Sequence, residues 1–562
     1  MRDAAPAAFG HGEVERDYTT DMSANWIRRV LPLMAVLGAM AGLRTMLLVS
    51  DAVPFNGDEA IVALMARHIL AGERPVFFYG QAYLGSTDAW LVAVAFSVLG
   101  QSVLAIRVVQ AALFAGTLVT TYPVARRMGL DVWTARLAVL LMAVPPTMLT
   151  LYTTATLGGY GETLLFGNLL FLSAPSNLQS FDSAQDRSHS LLRWLLFGLL
   201  AGFAFWTFGL FLVYLVPVAA WMLFRSFGSA QDRHRFDAWK GYLVAGVGFV
   251  AGSAPWWTAI GTLGSALVDE LTGSAIANTV TAPTWIGSLG VRLVNFFVFG
   301  VSAWFGLRYP WSPELVLPLA SLAVAAVCVG ALVFAIRRGS RLMWGMIGTL
   351  LLTYLLTPFG GDPSGRYFVP LYLPLSIFTA MWLDHLRERA GARRSRWLAN
   401  LLIVIVVAYN LVSTALAVQQ PHGVTTQFDR VTWIERGREQ ALIDFLLARG
   451  ETRGYTNYWV AYPIAFLSNE RILSAPRLPY HLDFRYTRRD DRVARYAEAT
   501  AEASRAFYIT TNHPQLDALI RDRLSALGVA FREESIGSYH IFYALSRKVE
   551  PEWLGLGETT PR

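Results

Sequence analysis

The 562-residue sequence contains a single cysteine, Cys328, so it can form no internal disulfide. It is also poor in charge. Asp, Glu, Lys and Arg make up only 15% of the residues, whereas an average soluble domain has about 25%. Hydrophobic residues reach 54% and the mean hydropathy is +0.40. This composition excludes an ordinary soluble enzyme and indicates an integral membrane protein.

Several common functional motifs are missing. The sequence has no Walker loop, no glycine-rich dinucleotide motif and no Cys/His spacing typical of a metal site. Its formal charge of +7 comes almost wholly from arginines, because Lys240 and Lys548 are the only lysines. The arginines lie between apolar runs, where they set membrane orientation. This distribution does not indicate a nucleic-acid partner.

The apolar runs predict a mainly α, polytopic membrane helix bundle. Residues 1–26 are predicted to be a disordered cytoplasmic tail without a cleavable signal peptide. The membrane portion is predicted to cover residues 27–418, with about 11 runs long enough to cross a bilayer. These runs are 27–49, 103–125, 132–149, 159–173, 192–206, 209–224, 241–257, 315–336, 342–358, 367–386 and 397–418.

The positive-inside rule orients the bundle. Arg28 and Arg29 precede the first run, so the N-terminus is predicted to be cytoplasmic and the first loop (50–102) external. Arg126 and Arg127 should then lie inside, which leaves the apolar run 83–99 on the outer surface. Residues 261–311 form a second external segment. An odd number of spans places the C-terminal part outside the plasma (inner) membrane.

Residues 419–550 differ from the rest, because charge rises and the long apolar runs stop. They predict a small external α/β domain of ordinary size. The expected helices are 439–449 and 516–527, and the expected strands are 454–460, 506–511 and 540–545. Residues 551–562 are predicted to be a disordered tail.

Two adjacent acids, Asp58 and Glu59, follow the first apolar run and precede a helix-like segment. Charge is expensive near a bilayer, so this pair is a candidate functional site. The alternative is a solvated loop with two ordinary acids. His68 follows about three turns along the predicted helix, where it either contacts substrate or only lines that helix.

Two more polar groups lie at predicted outer ends of spans. Tyr160 and Glu162 follow a Gly-Gly pair whose backbone allows close approach. For Glu162 the alternative is an ordinary acid at a helix N-terminus. Arg366 and Tyr367 follow a Gly-rich loop on the outside, where the positive-inside rule does not account for an arginine. Arg366 can hold a phosphate through two hydrogen bonds, or it only extends its charge to the interface.

These residue types allow specific chemistry at one external site. A carboxylate can take a proton from a hydroxyl or hold a divalent metal, and an arginine can neutralise a phosphate leaving group. The aromatic, polar stretch that contains Gln81 and Tyr83, together with Tyr160, could stack on or bind sugars.

The order of these features resembles the GT-C superfamily of membrane glycosyltransferases. It is similar to the type that includes the protein O-mannosyltransferases and the aminoarabinose transferases of lipid A. The resemblance covers roughly residues 27–417. It is carried by Gly57-Asp58-Glu59-Ala60, by Gly100 with Arg107, by Ala125-Arg126-Arg127-Met128-Gly129, and by Arg366-Tyr367-Phe368-Val369-Pro370.

The resemblance implies roles for individual residues. Asp58 would be the catalytic carboxylate that deprotonates or orients the acceptor hydroxyl, and Glu59 would support it. Glu162 would stand where related enzymes carry a second acid, so Asp58 and Glu162 are the candidates for a divalent metal. Arg366 would bind the phosphate of a polyprenyl-phosphate sugar. The sequence departs from the family in its first loop, where Tyr79 to Ser86 replace the usual proline-rich or Lys-Pro stretch.

Two hypotheses follow. The first is a glycosyltransferase that moves a sugar from a polyprenyl-phosphate donor to a protein, glycan or lipid acceptor outside the cytoplasm. The second is a transporter or flippase of lipid-linked sugars. Transporters tend to have internal repeats and ionisable groups near the midplane. Here the acids lie at one surface and no spans repeat, which favours the enzyme. The sequence does not identify the sugar or the acceptor.

Overall fold

The computed structural model describes residues 34–175, 184–228, 232–264, 267, 284–388 and 393–557. The predicted tail at 1–26 and the arginine pair that oriented the bundle lie outside these ranges. The membrane portion is helical, with two short strands, β1 (Phe77–Phe78) and β2 (Gln81–Gly85), in its first loop. Its helices are α1 Met34–Val49, α2 Gly57–Leu70, α3 Thr87–Leu99, α4 Val103–Arg127, α5 Val132–Ala143, α6 Thr147–Tyr152, α7 Tyr160–Ser173, α8 Ala184–Thr207, α9 Leu212–Gly228, α10 Asp232–Gly252, α11 Ala254–Leu263, α12 Trp285–Trp304, α13 Pro318–Arg338, α14 Arg341–Leu356, α15 Tyr372–Glu388 and α16 Arg393–Val418.

The predicted count of about 11 membrane spans is not confirmed by the helices of the structure. Within the described residues, four helices are long and apolar enough to cross a membrane: α4, α12, α13 and most of α16. The bent pair α10–α11, with 59° between its halves, makes a fifth candidate. Several other predicted runs form shorter apolar helices of 10–17 residues. The chain is therefore a multi-pass membrane protein, and the count of 11 is not reproduced.

Proline and glycine account for breaks and close contacts in the bundle. The predicted span 132–149 is divided into α5 and α6 at Pro145 and Pro146, because proline lacks the N–H that a continuous helix needs. Helices α8 and α10 pack backbone to backbone. A Cβ atom on Gly198 would lie 2.1 Å from the Ala245 carbonyl oxygen, so a larger residue would force the two helices apart.

Helix α12 was not predicted. The sequence indicated only a long external segment there, but the structure forms a 20-residue apolar helix. From within the helix, Arg292 donates to the Leu355 carbonyl at 2.9 Å, and at its last residue Trp304 Nε1 donates to the Leu371 carbonyl at 2.8 Å. These bonds hold α12 along the segment that contains Arg366, so it helps to shape that loop.

The C-terminal segment, residues 419–557, contains a five-stranded sheet with helices around it. The strands are β3 Arg453–Tyr455, β4 Leu473–Ala475, β5 Phe507–Thr511, β6 Arg532–Ile536 and β7 Tyr539–Tyr543. Their order is β4-β3-β5-β7-β6; β3 is parallel to both β4 and β5, and β7 is antiparallel to both β5 and β6. The helices are α17 Glu439–Ala448, α18 Tyr458–Leu467, α19 Ala494–Glu502 and α20 Pro514–Ala526.

Two expectations for this segment were wrong. The predicted strand 454–460 ends at Tyr455, and helix α18 begins at Tyr458, because the Asn457 side chain caps it by accepting from the Trp459 N–H at 3.0 Å. The predicted disordered tail begins too early. Residues Pro551–Leu554 form a 3-10 turn with Leu554 fully buried, so burial of this side chain holds residues 551–557 against the segment.

Candidate active site

A cavity of about 750 Å³ lies between the first loop, the ends of the membrane helices and the C-terminal segment. All three regions supply its walls. From the membrane portion, the predicted residues that line it are Asp58, Gln81, Tyr83, Tyr160, Arg366 and Tyr367. Asp58 and Arg366, which are 308 positions apart in the chain, thus line the same cavity. Three other predicted residues, Glu59, His68 and Glu162, are not among its lining residues.

Asp58 is placed by the start of helix α2. Asn56 caps this helix by accepting from the Glu59 N–H at 3.0 Å, and the positive end of the helix favours a carboxylate in its first turn. Tyr458 donates its hydroxyl proton to Asp58 Oδ1 at 2.5 Å. A Cβ on Gly57 would lie 2.7 Å from the Tyr458 ring. The glycine therefore lets the C-terminal segment approach Asp58.

Glu59 has a different environment. Its side chain is completely buried and forms a two-pronged ion pair with Arg107, at 2.5 Å to Nε and 2.6 Å to Nη2. Arg107 is also buried and donates to the Val53 carbonyl at 3.1 Å. Glu59 therefore ties α2 to α4 from behind Asp58. We assign it a positioning role in place of the predicted supporting role in catalysis.

Arg366 also lines the cavity, on a loop held by a buried arginine. It pairs with Asp362 at 2.8 Å and donates to the Tyr367 hydroxyl at 3.0 Å. Its Nε has no hydrogen-bond partner among the described residues. Arg308, which is buried and was not predicted, donates to the carbonyls of Pro363 and Ser364 at 2.8 and 2.9 Å. The loop is therefore fixed, and Arg366 keeps an N–H for a ligand.

Glu162 and the predicted metal pair are not supported by the geometry. Glu162 is fully buried and lies next to Asp88, a buried acid that accepts from Gln110 at 3.1 Å. Of the pair, only Asp58 lines the cavity. Among the described residues, no group of three or more His, Cys, Asp or Glu side chains could hold a metal ion. Within the part of the chain that the structure describes, Asp58 and Glu162 therefore do not come together as the predicted metal pair, and the chemistry below uses no metal.

His68 serves as a tie between the first loop and the C-terminal segment. Its ring nitrogens lie 3.1 Å from the Tyr79 hydroxyl and 3.1 Å from Glu470. Arg67 pairs with the same Glu470 at 3.6 Å. The structure thus supports the alternative in which His68 has a structural role and does not contact substrate. Tyr83 of the first loop and Tyr160 of α7, the two aromatic residues predicted to contact a sugar, do line the cavity.

The C-terminal segment contributes charges that the sequence analysis did not assign to the site. Arg485, Arg489, Asp490 and Arg492 all line the cavity. Arg492 Nη1 donates to the Gly80 carbonyl at 2.8 Å, which joins the two regions. Burial raises the pKa of Asp490 to about 7, with a further increase from Asp58, while Arg492 opposes the shift. In the sequence, the dense run of arginines and aromatic residues at 480–492 was the feature that could have indicated this part of the site.

No family model and no curated protein matches this chain. Solved structures do match it. ArnT from Cupriavidus metallidurans, an aminoarabinose transferase, aligns in its undecaprenyl-phosphate-bound form with a TM-score of 0.52 and 14% identity over 92% of this chain and 98% of that one. Its apo form gives a TM-score of 0.54 and 13% identity over 90% and 98% of the two chains.

The chain has the GT-C fold. The Archaeoglobus fulgidus oligosaccharyltransferase, in its apo form, has the same fold and aligns with a TM-score of 0.51 and 13% identity over 86% of this chain and 70% of that one. The predicted resemblance to GT-C glycosyltransferases is thereby confirmed for the fold.

Proposed function

We propose that this protein is a membrane glycosyltransferase that transfers a sugar from a polyprenyl-phosphate donor to a hydroxyl-bearing acceptor. The proposal is based on one observation. Asp58 and Arg366 lie far apart in the sequence of the membrane portion, yet both line one cavity. One is a carboxylate held by a tyrosine, and the other is an arginine with an unused N–H. The GT-C neighbour bound to undecaprenyl phosphate supports a lipid-phosphate donor.

The proposed reaction is a single displacement with inversion at the anomeric carbon. The acceptor oxygen forms a bond to this carbon while the bond from the carbon to the phosphate oxygen breaks. The electron pair stays on the phosphate, so the leaving group is polyprenyl phosphate. Asp58 accepts the proton of the acceptor hydroxyl. No water or cofactor is consumed.

Arg366 stabilises the charge that develops on the leaving phosphate. Its partner Asp362 fixes the guanidinium by a 2.8 Å bond, so little reorganisation is needed when the phosphate binds. The Tyr458 hydroxyl holds the Asp58 carboxylate in one orientation. Tyr83, Tyr160 and Tyr367 provide aromatic surface in the same cavity.

The test uses membranes that contain wild type, Asp58→Asn or Arg366→Ala, with labelled polyprenyl-phosphate sugars. We expect transfer of label to fall by about 10²–10⁴-fold when the general base is lost and about 10²–10³-fold when the phosphate-stabilising group is lost. Asp444→Asn and Arg505→Ala are matched controls, because both side chains are exposed on the C-terminal segment and neither lines the cavity.

The outcome also separates the enzyme from the transporter hypothesis. If wild type consumes a donor and Asp58→Asn does not, the labelled fraction identifies the acceptor as protein, glycan or lipid. If Asp58→Asn transfers as well as wild type, Asp58 is not the base. A chain that moves labelled lipid across reconstituted vesicles without consuming it would instead be a flippase.

A further inference from the structure

On the C-terminal wall of the cavity, several buried polar atoms have no hydrogen-bond partner among the described residues. Besides the Nε–H groups of Arg485 and Arg492, they include a donor, the Trp459 Nε1–H, and an acceptor, Asp490 Oδ2. Both residues line the cavity, and the Asp490 side chain is only 6% exposed. Buried polar groups in native proteins are nearly always paired, and leaving one unpaired is costly. A ligand that satisfies both atoms would remove this cost.

The two atoms belong to one rigid surface. Tyr480 is hydrogen-bonded to the Asp490 carboxyl and packs edge-on against Trp459, with ring centroids 6.1 Å apart. The Tyr462 hydroxyl donates to the Asp490 carbonyl at 2.8 Å and accepts from the Arg492 N–H at 2.6 Å. The loop that carries Asp490 is therefore clamped on both sides.

This surface is connected to the proposed base. Tyr458, which bonds to Asp58, immediately precedes Trp459 at the start of α18. Asp58, Trp459 and Asp490 all line the cavity, so a ligand on Trp459 occupies the same cavity as the group that we propose deprotonates the acceptor. The charge of Asp58 also raises the pKa of Asp490.

We propose that Trp459, Tyr480 and Asp490 form a carbohydrate-binding subsite within the cavity. A sugar hydroxyl both accepts and donates, so it can bond to the indole N–H and to the carboxyl oxygen. The aromatic rings offer apolar surface for the sugar's C–H face. The subsite rests on the proposed function, because its sugar is either that of the lipid donor or one within a glycan acceptor. The pKa of Asp490, about 7, allows the carboxyl to accept a hydrogen bond, or to donate one, near neutral pH.

The test measures binding to the purified full chain in nanodiscs. The probes are bare undecaprenyl phosphate and undecaprenyl phosphate carrying glucose, mannose or aminoarabinose. The variants are Trp459→Phe, which keeps an aromatic ring but removes the N–H, and Asp490→Asn. Trp553→Phe and Asp444→Asn are matched controls, since both side chains are exposed and neither lines the cavity. Thermal melting and gel filtration identify variants that do not fold, and the conclusion uses those that do.

If the donor sugar occupies the subsite, wild type binds one sugar-bearing lipid more tightly than the bare lipid. Each variant should then lose roughly tenfold or more of this difference, the usual cost of a hydrogen bond to a charged or buried group. Binding of bare undecaprenyl phosphate should not change. If an acceptor sugar occupies it, the donor affinities stay equal to wild type. In that case the apparent KM for acceptor membranes rises by a similar factor while kcat changes less.

The inference is overturned if folded Trp459→Phe and Asp490→Asn match the controls in both the donor affinity difference and the KM for acceptor. It is also overturned if the variants weaken bare undecaprenyl phosphate as much as the sugar-bearing lipid, since the surface would then act on the phosphate. Failure of the proposed function has a different signature. Wild type would bind these lipids but transfer no label from any of them.

Discussion

Replacing Glu59 by glutamine tests whether this acid is structural or catalytic. Glu59 is completely buried, and it forms an ion pair with Arg107, which is 4% exposed. The glutamine has nearly the same shape, so packing is preserved while the charge is lost. Arg107 would then be a buried cation without an anion. Removing one partner of a buried ion pair usually destabilises a protein by about 3–5 kcal/mol.

The first assay is thermal unfolding of the purified protein in detergent, and the second is transfer of labelled sugar below the unfolding temperature. We expect Glu59→Gln to melt at a lower temperature than wild type. Transfer per folded molecule should fall less than in Asp58→Asn, because Glu59 does not line the cavity. Glu498→Gln is the matched control, since this exposed glutamate lies on helix α19.

A double variant tests whether the expected loss of stability in Glu59→Gln comes from the unpaired charge of Arg107. Glu59→Leu with Arg107→Met replaces the pair by apolar side chains of similar length, and such replacements are often neutral or stabilising. We expect it to recover most of the melting temperature that Glu59→Gln loses. The reasoning is refuted if Glu59→Gln melts like wild type yet transfers no sugar. That result would return Glu59 to the catalytic role that its position beside Asp58 first suggested.

Three further changes have defined outcomes. Tyr458→Phe removes the 2.5 Å hydrogen bond to Asp58, a charge-assisted bond of about 1.5–3 kcal/mol, so kcat should fall by roughly tenfold to a hundredfold, as measured by initial transfer rates. Gly57→Ala would place a Cβ 2.7 Å from the Tyr458 ring, so it should lower both the activity and the melting temperature. Gly72→Ala is the control. Gly72 lies in open space at the end of the same helix but has a positive φ, so this change should lower only the stability. Folding raises the pKa of Asp490 from 3.8 to about 7, so the folded state holds this proton more tightly than the unfolded state does. Wild type should therefore lose stability relative to Asp490→Asn as the pH rises from about 4 to 7. Melting temperatures of the two proteins that change with pH by the same amount across this range would contradict the shift.

Much of the architecture was predictable from sequence, because it depends on local composition. Long apolar runs must become helices in a bilayer, since every backbone polar group there needs an internal partner. The positions of Asp58 at the start of α2 and of Arg366 after a Gly-rich loop follow from the same local signals. The predicted helices 439–449 and 516–527 correspond to α17 and α20.

Other features depended on contacts between distant residues. Helix α12 was missed because the segment around it lacks the charge pattern of a membrane loop, and its position depends on bonds to residues more than 60 positions away. The start of α18 was missed because its apolar residues also suit a strand. Only the cap from Asn457 distinguishes the two possibilities.

The sequence by itself determined that this is a polytopic membrane protein with an acid at the start of its first loop helix and an arginine late in the bundle. The tertiary structure decided which acids act together. Asp58 and Glu59 are adjacent, but successive residues of a helix point about 100° apart. One therefore faces the cavity and Tyr458, while the other faces Arg107. The partners come from 400 and 48 residues away, and only the folded chain brings them into contact.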